Sequence, residues 1–235
     1  MDGNNSHRTS SIVLVLSVLL IAGTMLLGGH DVLSQSAATV VAIAKMDLGA
    51  SPAGFEFALT GRGGPIKWRV VTDDTAEGGR AIEQSSTDTT DYRFPLAIYN
   101  AIAAKNVDVS VSFRPVAGRV DRAAGIAVRV SNADNYYVVR ANALEDNVRF
   151  YRVVKGSRQQ IGGVDIKVTT DEWHTLRLKA EGDTFAIGFD GKTLFTVTDR
   201  TFANAGKIAL WTKSDSVTRF SQIAIDVLPD PEKRQ

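Results

Sequence analysis

From about Lys45 onward apolar and polar residues alternate with a period of two, and this alternation decides what the chain can fold into. Val107-Asp108-Val109-Ser110-Val111-Ser112-Phe113 is the clearest run. Successive side chains of a strand point to opposite faces, so such a run makes a strand with one buried and one wet face. Ile126 to Val130, Leu176 to Lys179, Phe185 to Phe189, Leu194 to Val197, Ile208 to Trp211 and Phe220 to Ile225 repeat the pattern. Tyr136 to Val139 and Val148 to Val154 are β-branched and aromatic. Turn residues separate these runs. Asp190-Gly191 between two alternating runs is a strong hairpin signal, and Lys155-Gly156-Ser157, Glu181-Gly182-Asp183 and Ala205-Gly206 mark further turns. Ser51 to Tyr99 is less regular. It predicts strands at Phe55 to Leu59 and Ile66 to Val71, then a long loop from Asp73 to Asp91. Ala97 to Ala104 has room for a helical turn or two. Many short strands with regular turns predict an all-β sandwich or barrel of one domain.

The start of the chain is different. Ile12 to Leu27 reads IVLVLSVLLIAGTMLL, without a charge, after a short stretch carrying His7 and Arg8. Small residues follow, in Ser36-Ala37-Ala38 and Ala42-Ile43-Ala44. This is the order of a secretory signal peptide. The run is on the short side of the roughly 20 residues a membrane span needs, and an uncleaved anchor helix stays open beside cleavage. A core helix fits poorly, because the run is apolar all round. The expected organisation is a signal or anchor and linker over residues 1–44, the sandwich over 45–228 and a disordered tail over 229–235. The expected address is exported, periplasmic or extracellular, or membrane-held through residues 12–27.

Composition removes several chemistries. Lys and Arg total 27 against 26 Asp and Glu, a net charge of +1, so no basic stripe points to nucleic acid. The chain has no cysteine, which excludes disulfides, thiol nucleophiles and Cys-ligated metals. Of three histidines only His174 lies beyond the N-terminal region, so a His-rich metal site is excluded as well. An exported domain without disulfides is sound at this size, and its stability must come from packing.

A set of phrases in order resembles a known superfamily. They are Asp121-Arg122-Ala123-Ala124-Gly125-Ile126-Ala127-Val128-Arg129, Asn135 to Asn142 (NYYVVRAN), Asn147 to Arg152 (NVRFYR), Glu172 to Arg177 (EWHTLR), and Gly206 to Phe220 with Leu210-Trp211-Thr212-Lys213. Together they resemble the concanavalin A-like lectins and glucanases, nearest to bacterial exported domains of the laminin-G-like and 3-keto-disaccharide-hydrolase-like kind. The resemblance covers about Phe55 to Leu228. It implies a jelly-roll sandwich of two curved antiparallel sheets with ligands on the concave face or its rim. Such sandwiches host enzymes, lectins and adhesion modules alike, so it implies no activity by itself.

Glycoside hydrolysis needs two facing carboxylates. The Glu-x-Asp-x-x-Glu strand motif of the related endoglucanases is absent. Glu145-Asp146 and Asp171-Glu172 read as turns. If the protein is an enzyme, the candidates are Glu145, Asp146, Asp215 and His174, acting on a glycan. The resemblance leaves room for a structural calcium near Asp121, Asp134 and Asn135, but no dense Asp/Asn loop supports one, and no metal or cofactor is expected. Binding has the better signal. Alternation sets Ile126, Val128 and Val130 against Ala127 and Arg129. It sets Tyr137, Val139 and Ala141 against Tyr136, Val138, Arg140 and Asn142, and Val148, Phe150 and Arg152 against Arg149, Tyr151 and Val153. One sheet surface must therefore mix arginine, asparagine and tyrosine. Arginine supplies planar donors, and aromatic rings stack on sugar faces. The expected ligand-binding residues are Arg129, Arg140, Asn142, Arg149 and Tyr151, with Trp211, Lys213 and Asp215 at the rim. The expected partner is a saccharide or glycosylated surface, with a protein partner as the alternative. A plain solvated face carries the same residues without any ligand.

Overall fold

The computed structural model describes Met1 and residues 38–230. The apolar run at 12–27 and the last five residues of the tail lie outside the described residues. Among the described residues no helix is long and apolar enough to cross a membrane. Fifteen strands follow in order: β1 (Thr39–Val40), β2 (Phe55–Gly61), β3 (Trp68–Thr72), β4 (Arg80–Gln84), β5 (Arg93–Ala104), β6 (Val107–Ala117), β7 (Ala123–Asn132), β8 (Asn135–Asn142), β9 (Asn147–Val154), β10 (Ser157–Asp165), β11 (His174–Glu181), β12 (Thr184–Phe189), β13 (Lys192–Thr198), β14 (Gly206–Trp211) and β15 (Val217–Val227). Among the described residues the helical content is two 3-10 turns, Ile43–Lys45 and Glu77–Gly79.

The strands form two antiparallel sheets. One runs β13-β12-β11-β6-β15-β4-β3, with β1 paired to β15. The other runs β10-β9-β8-β7-β14-β5-β2. Between them lies the main core. Val109, Val111 and Phe113 of β6, Leu176 and Leu178 of β11 and Phe185 and Ile187 of β12 meet Ile126, Val128, Tyr137, Val139, Phe150 and Leu210 from the facing sheet. The architecture is the jelly-roll-like sandwich that the alternation and the resemblance predict. β1 and the buried Val41 and Ile43 already belong to it, so the packed unit begins ahead of Lys45.

Turn chemistry sets the registers. Asp190 (φ 45°) and Gly191 (φ 76°) join β12 to β13, and Lys155 (φ 50°) and Gly156 (φ 77°) join β9 to β10. Two successive left-handed residues match the twist of the flanking strands, and glycine at the second position takes that conformation freely.

Two local expectations are corrected. Ala97 to Ala104 is no helical turn; it is the second half of β5, paired to β14 and β2. Its short apolar run has no decisive period, and neighbouring strands settle it. The loop from Asp73 to Asp91 contains β4, which is buried between β3 and β15.

Arg129 is the larger correction. The alternation of β7 sets it opposite Val128, yet it takes φ 52° in a bulge where the pairing with β8 shifts between Val128 and Asn132. An extra residue in one strand reverses which face the following side chains occupy. Arg129 consequently turns to the end of the main core, and Val130 moves to the far face of the sheet. The guanidinium is 2% exposed. It donates to the carbonyls of Lys105 (3.0 Å), Phe202 (2.7 Å) and Gly182 and lies over the Phe185 ring at 5.0 Å. Opposite the bulge, a Cβ at Gly206 would lie 2.4 Å from the Arg129 carbonyl carbon, so only glycine fits. Arg129 is therefore a buried tie between three loops and no ligand residue. Arg129→Ala should cost about 3 kcal/mol in urea unfolding, because three buried carbonyls lose a charged donor. A loss under about 1 kcal/mol would show that water replaces it without penalty.

Candidate functional site

The far face of the seven-stranded sheet is as apolar as its inner face. Phe94, Leu96 and Ile98 of β5, Trp211 of β14, Ala127 of β7, Tyr136 and Val138 of β8, and Tyr151 and Val153 of β9 form a second buried cluster. An open face of this composition would not stay in water, and the sheet curls until its own side chains and loops cover it. Tyr92, just ahead of β5, reaches across the curl. Its hydroxyl donates to the Gly156 carbonyl at 2.6 Å and accepts from the Arg158 amide at 2.9 Å. Thr60 of β2 donates to the Ala133 carbonyl in the β7–β8 turn and accepts from the Tyr136 hydroxyl at 2.8 Å. Trp211 Nε1 donates to the same hydroxyl at 3.3 Å, and burial pushes Tyr136 up to about 12. The result is a trough filled by its own side chains, its margins tied by hydrogen bonds between segments distant in sequence.

Polar groups gather at one end of the trough. Arg140 is 4% exposed; its Nη2 donates to Glu145 Oε2 at 2.7 Å and to Tyr151 Oη at 3.2 Å. Its Nε and Nη1 are buried without a hydrogen-bond partner. Burial works against the Arg140 charge, but Tyr151 and Glu145 outweigh it and raise its pKa. Burial likewise favours protonating Glu145, and Arg140 outweighs it and lowers the carboxyl. Asn147 Nδ2 holds the same Glu145 oxygen at 3.1 Å. Lys213 Nζ lies 2.6 Å from Asp121 Oδ2 and 2.9 Å from Asp91 Oδ1. Burial disfavours the ammonium, and the two carboxylates more than restore it. Asp121 is fully buried, and burial pushes its carboxyl up against the pull of Lys213. Asn142 Nδ2 donates to Asp121 at 2.8 Å, while its oxygen accepts from the Leu144 amide.

Six of the eight expected ligand residues lie on this trough face: Arg140, Asn142, Arg149, Tyr151, Trp211 and Lys213. They divide by exposure. Lys213 is half-buried, and Arg140 and Tyr151 keep only 4% and 6% of their surface exposed. Asn142 and Trp211 are wholly buried, Trp211 stacked on Phe94 at 5.2 Å. Arg149 sits toward the β10 edge, paired with Asp165. Arg129 is excluded by its bulge. Asp215 is excluded by its partners: its carboxylate accepts the amides of Arg119 (2.7 Å), Val120 (3.1 Å) and Asp121 (2.9 Å), fixing the loop that carries Asp121.

Of the catalytic candidates only Glu145 reaches the mouth. Asp146 is held by Lys167 at 2.9 Å. His174 belongs to the other sheet, with Nδ1 2.8 Å from Asp190, Nε2 2.8 Å from Thr169 Oγ1 and its ring stacked on Phe189. The three oxygen residues considered for calcium are separated: Asp121 bonds Lys213, whereas Asp134 and Asn135 stand at the β7–β8 turn, where Asn135 Oδ1 accepts from the Lys155 amide. No cluster of three His, Asp or Glu side chains suited to a metal occurs among the described residues.

Sequence reading missed Tyr92, Asp91, Phe94 and Arg158. Arg158 was within reach, since the two-residue turn at Lys155-Gly156 pairs it with Val153 and so puts it on the Tyr151 face. The role of Tyr92 carries no local signal.

No family model and no curated protein matches the chain. Solved structures do. The carbohydrate-binding module CBM66 from Bacillus subtilis superposes with a TM-score of 0.57 at 20% identity, covering 72% of this chain and 94% of that one. The β-glucanase of Bacillus licheniformis gives 0.56 at 12% identity, over 82% and 99% of the two chains. A Bacillus subtilis protein of unknown function with a galectin-like fold gives 0.52 at 8% identity, over 73% and 89%. The fold is the concanavalin A-like one. At these identities the likeness extends to architecture alone.

Asp215 provides a test of the scaffold. Burial favours its protonated form, but three amide donors outweigh this and hold the carboxyl below its ordinary value. A group depressed in the folded state stabilises fully above its unfolded pKa and loses that contribution as pH falls through the folded value. Asp215→Ala should therefore cost about 2 kcal/mol at neutral pH, with the gap to the parent closing in acid. Parallel urea titrations at pH 7 and pH 3 measure this; a gap that stays constant would refute the assignment.

Proposed function

We propose that the protein binds a saccharide at the mouth of the concave trough. The observation that carries this is the convergence of Arg140, Glu145, Tyr151 and Lys213 at one end of a largely apolar groove. A sugar hydroxyl both donates and accepts, and a ring of planar donors beside carboxylate acceptors meets both needs. The names of two architectural neighbours, a carbohydrate-binding module and a β-glucanase, support the same ligand class. With residues 12–27 acting as signal or anchor, the protein meets its ligand outside the cytoplasm.

Hydrolysis is the second reading, favoured by one observation. Glu145 and Asp121 border the same mouth in contrasting environments, one carboxyl lowered and one raised. Asp121 is fully buried, which weighs against its reaching a glycosidic bond.

The test is a glycan array followed by calorimetric titration. Saturable binding that weakens about tenfold or more in Arg140→Ala and Lys213→Ala is expected, each change removing a charged hydrogen bond. Absence of binding to any glycan would sink the proposal and move weight to a protein partner. Release of reducing sugar, abolished by Glu145→Gln with binding retained, would establish the second reading instead.

A further inference from the structure

The ion pairs of the trough do not include Arg158. Glu145 is held by Arg140, Asp165 by Arg149, and both Asp91 and Asp121 by Lys213. Arg158 has no ion-pair partner among the described residues. Its guanidinium instead lies over aromatic rings, 4.4 Å from the Tyr151 ring centre, 4.9 Å from Phe94 and 6.0 Å from Trp211. One of its nitrogens, Nη1, is buried with no hydrogen-bond partner, as are Nε and Nη1 of Arg140, whose guanidinium lies 5.8 Å from the same Tyr151 ring centre. The backbone beneath is fixed, because the Arg158 amide is held by Tyr92.

Two consequences follow. The faces of the aromatic rings, on which a neutral sugar would stack, are already occupied by guanidinium. And two guanidiniums lie within 6 Å of the Tyr151 ring centre, with three of their buried nitrogens lacking an acceptor. A buried or half-buried donor without a partner is costly, and an anionic acceptor relieves that cost more than a hydroxyl does. We propose that the trough takes an acidic saccharide, its carboxylate or sulfate received by Arg158 with Arg140 behind it. This rests on the saccharide reading and narrows it to charged glycans. Glu145 is paired with Arg140, and Asp91 and Asp121 share Lys213.

The probes are oligosaccharides carrying uronic acid, each with its methyl ester, and sulfated oligosaccharides, each with its desulfated form. They are titrated into the full chain by calorimetry. The acidic member of the recognised pair should bind about tenfold or more tighter than its masked partner, the scale of one charged hydrogen bond. Its affinity should fall as salt rises, and the neutral partner's should not. Arg158→Gln, which keeps the amide held by Tyr92, should weaken binding of the acidic member about tenfold, to the level of its masked partner. Equal affinity for both members of every pair, or a preference untouched in Arg158→Gln, overturns the proposal and leaves the saccharide reading standing. Failure of every probe and of neutral glycans alike overturns both.

Discussion

The curl of the seven-stranded sheet is the constraint on which the rest of the structure depends. A sheet packed on one side ordinarily shows alternation, apolar inward and polar outward. β8 does not obey this: Tyr137, Val139 and Ala141 face the main core, and Tyr136 and Val138 on the opposite face are equally buried. Two apolar faces need two covers. The second sheet covers one, and the seven-stranded sheet bends to cover the other with its own margins. The hydroxyl of Tyr92 secures that bend with two hydrogen bonds. The Asp91–Lys213 pair follows from the register of neighbouring strands instead, because β5 and β14 are paired and their backbones stay bonded through Thr212–Pro95 and Ser214–Arg93.

Much of this was legible before any coordinates. Period two, with the β-branched and aromatic runs, announced the strands from β6 onward except β10, and Asp190-Gly191 and Lys155-Gly156 announced turns, since these signals depend only on residues adjacent in sequence. The faces of β8 and β9 also came out as read, because no bulge interrupts their mutual pairing. Arg129 failed for the opposite reason. A single left-handed residue reverses the alternation after it, and no glycine or asparagine at that position gives warning. β5 failed because Ala97-Ile98-Tyr99-Asn100-Ala101-Ile102-Ala103-Ala104 suits either period, and only its partners on both sides decide. Of the expected ligand residues, those on β8 and β9, with Trp211 and Lys213, share one face of the sheet. Tyr92 was not expected, since it takes part through contacts across the curl that no local pattern encodes.

The polar groups of the trough are arranged by pairing rather than by net charge. Lys213 serves two carboxylates, one buried and one exposed, and so ties the segment before β5 to the floor of the mouth. Asp215 acts one step further back, holding the amides of the loop that presents Asp121. Buried ions of this kind are tolerated because each has a partner in place before any ligand arrives, and such preorganisation lowers the ordering cost of binding.

The hydrogen bonds that tie the margins of the trough also bear on how the protein reaches its folded state. Tyr92 and Gly156 are separated by 64 residues, and Thr60 and Ala133 by 73, whereas the hairpins β8–β9 and β9–β10 form from immediate neighbours. Contacts that close long loops carry the greater entropic penalty and tend to form after local ones. A chain with its hairpins assembled but its curl still open would present Phe94, Tyr151 and Trp211 to water on one broad face. Such an intermediate has no ligand site and exposes the most adhesive surface the molecule owns, so the interval before closure is when the nascent protein is most vulnerable to association with its own kind.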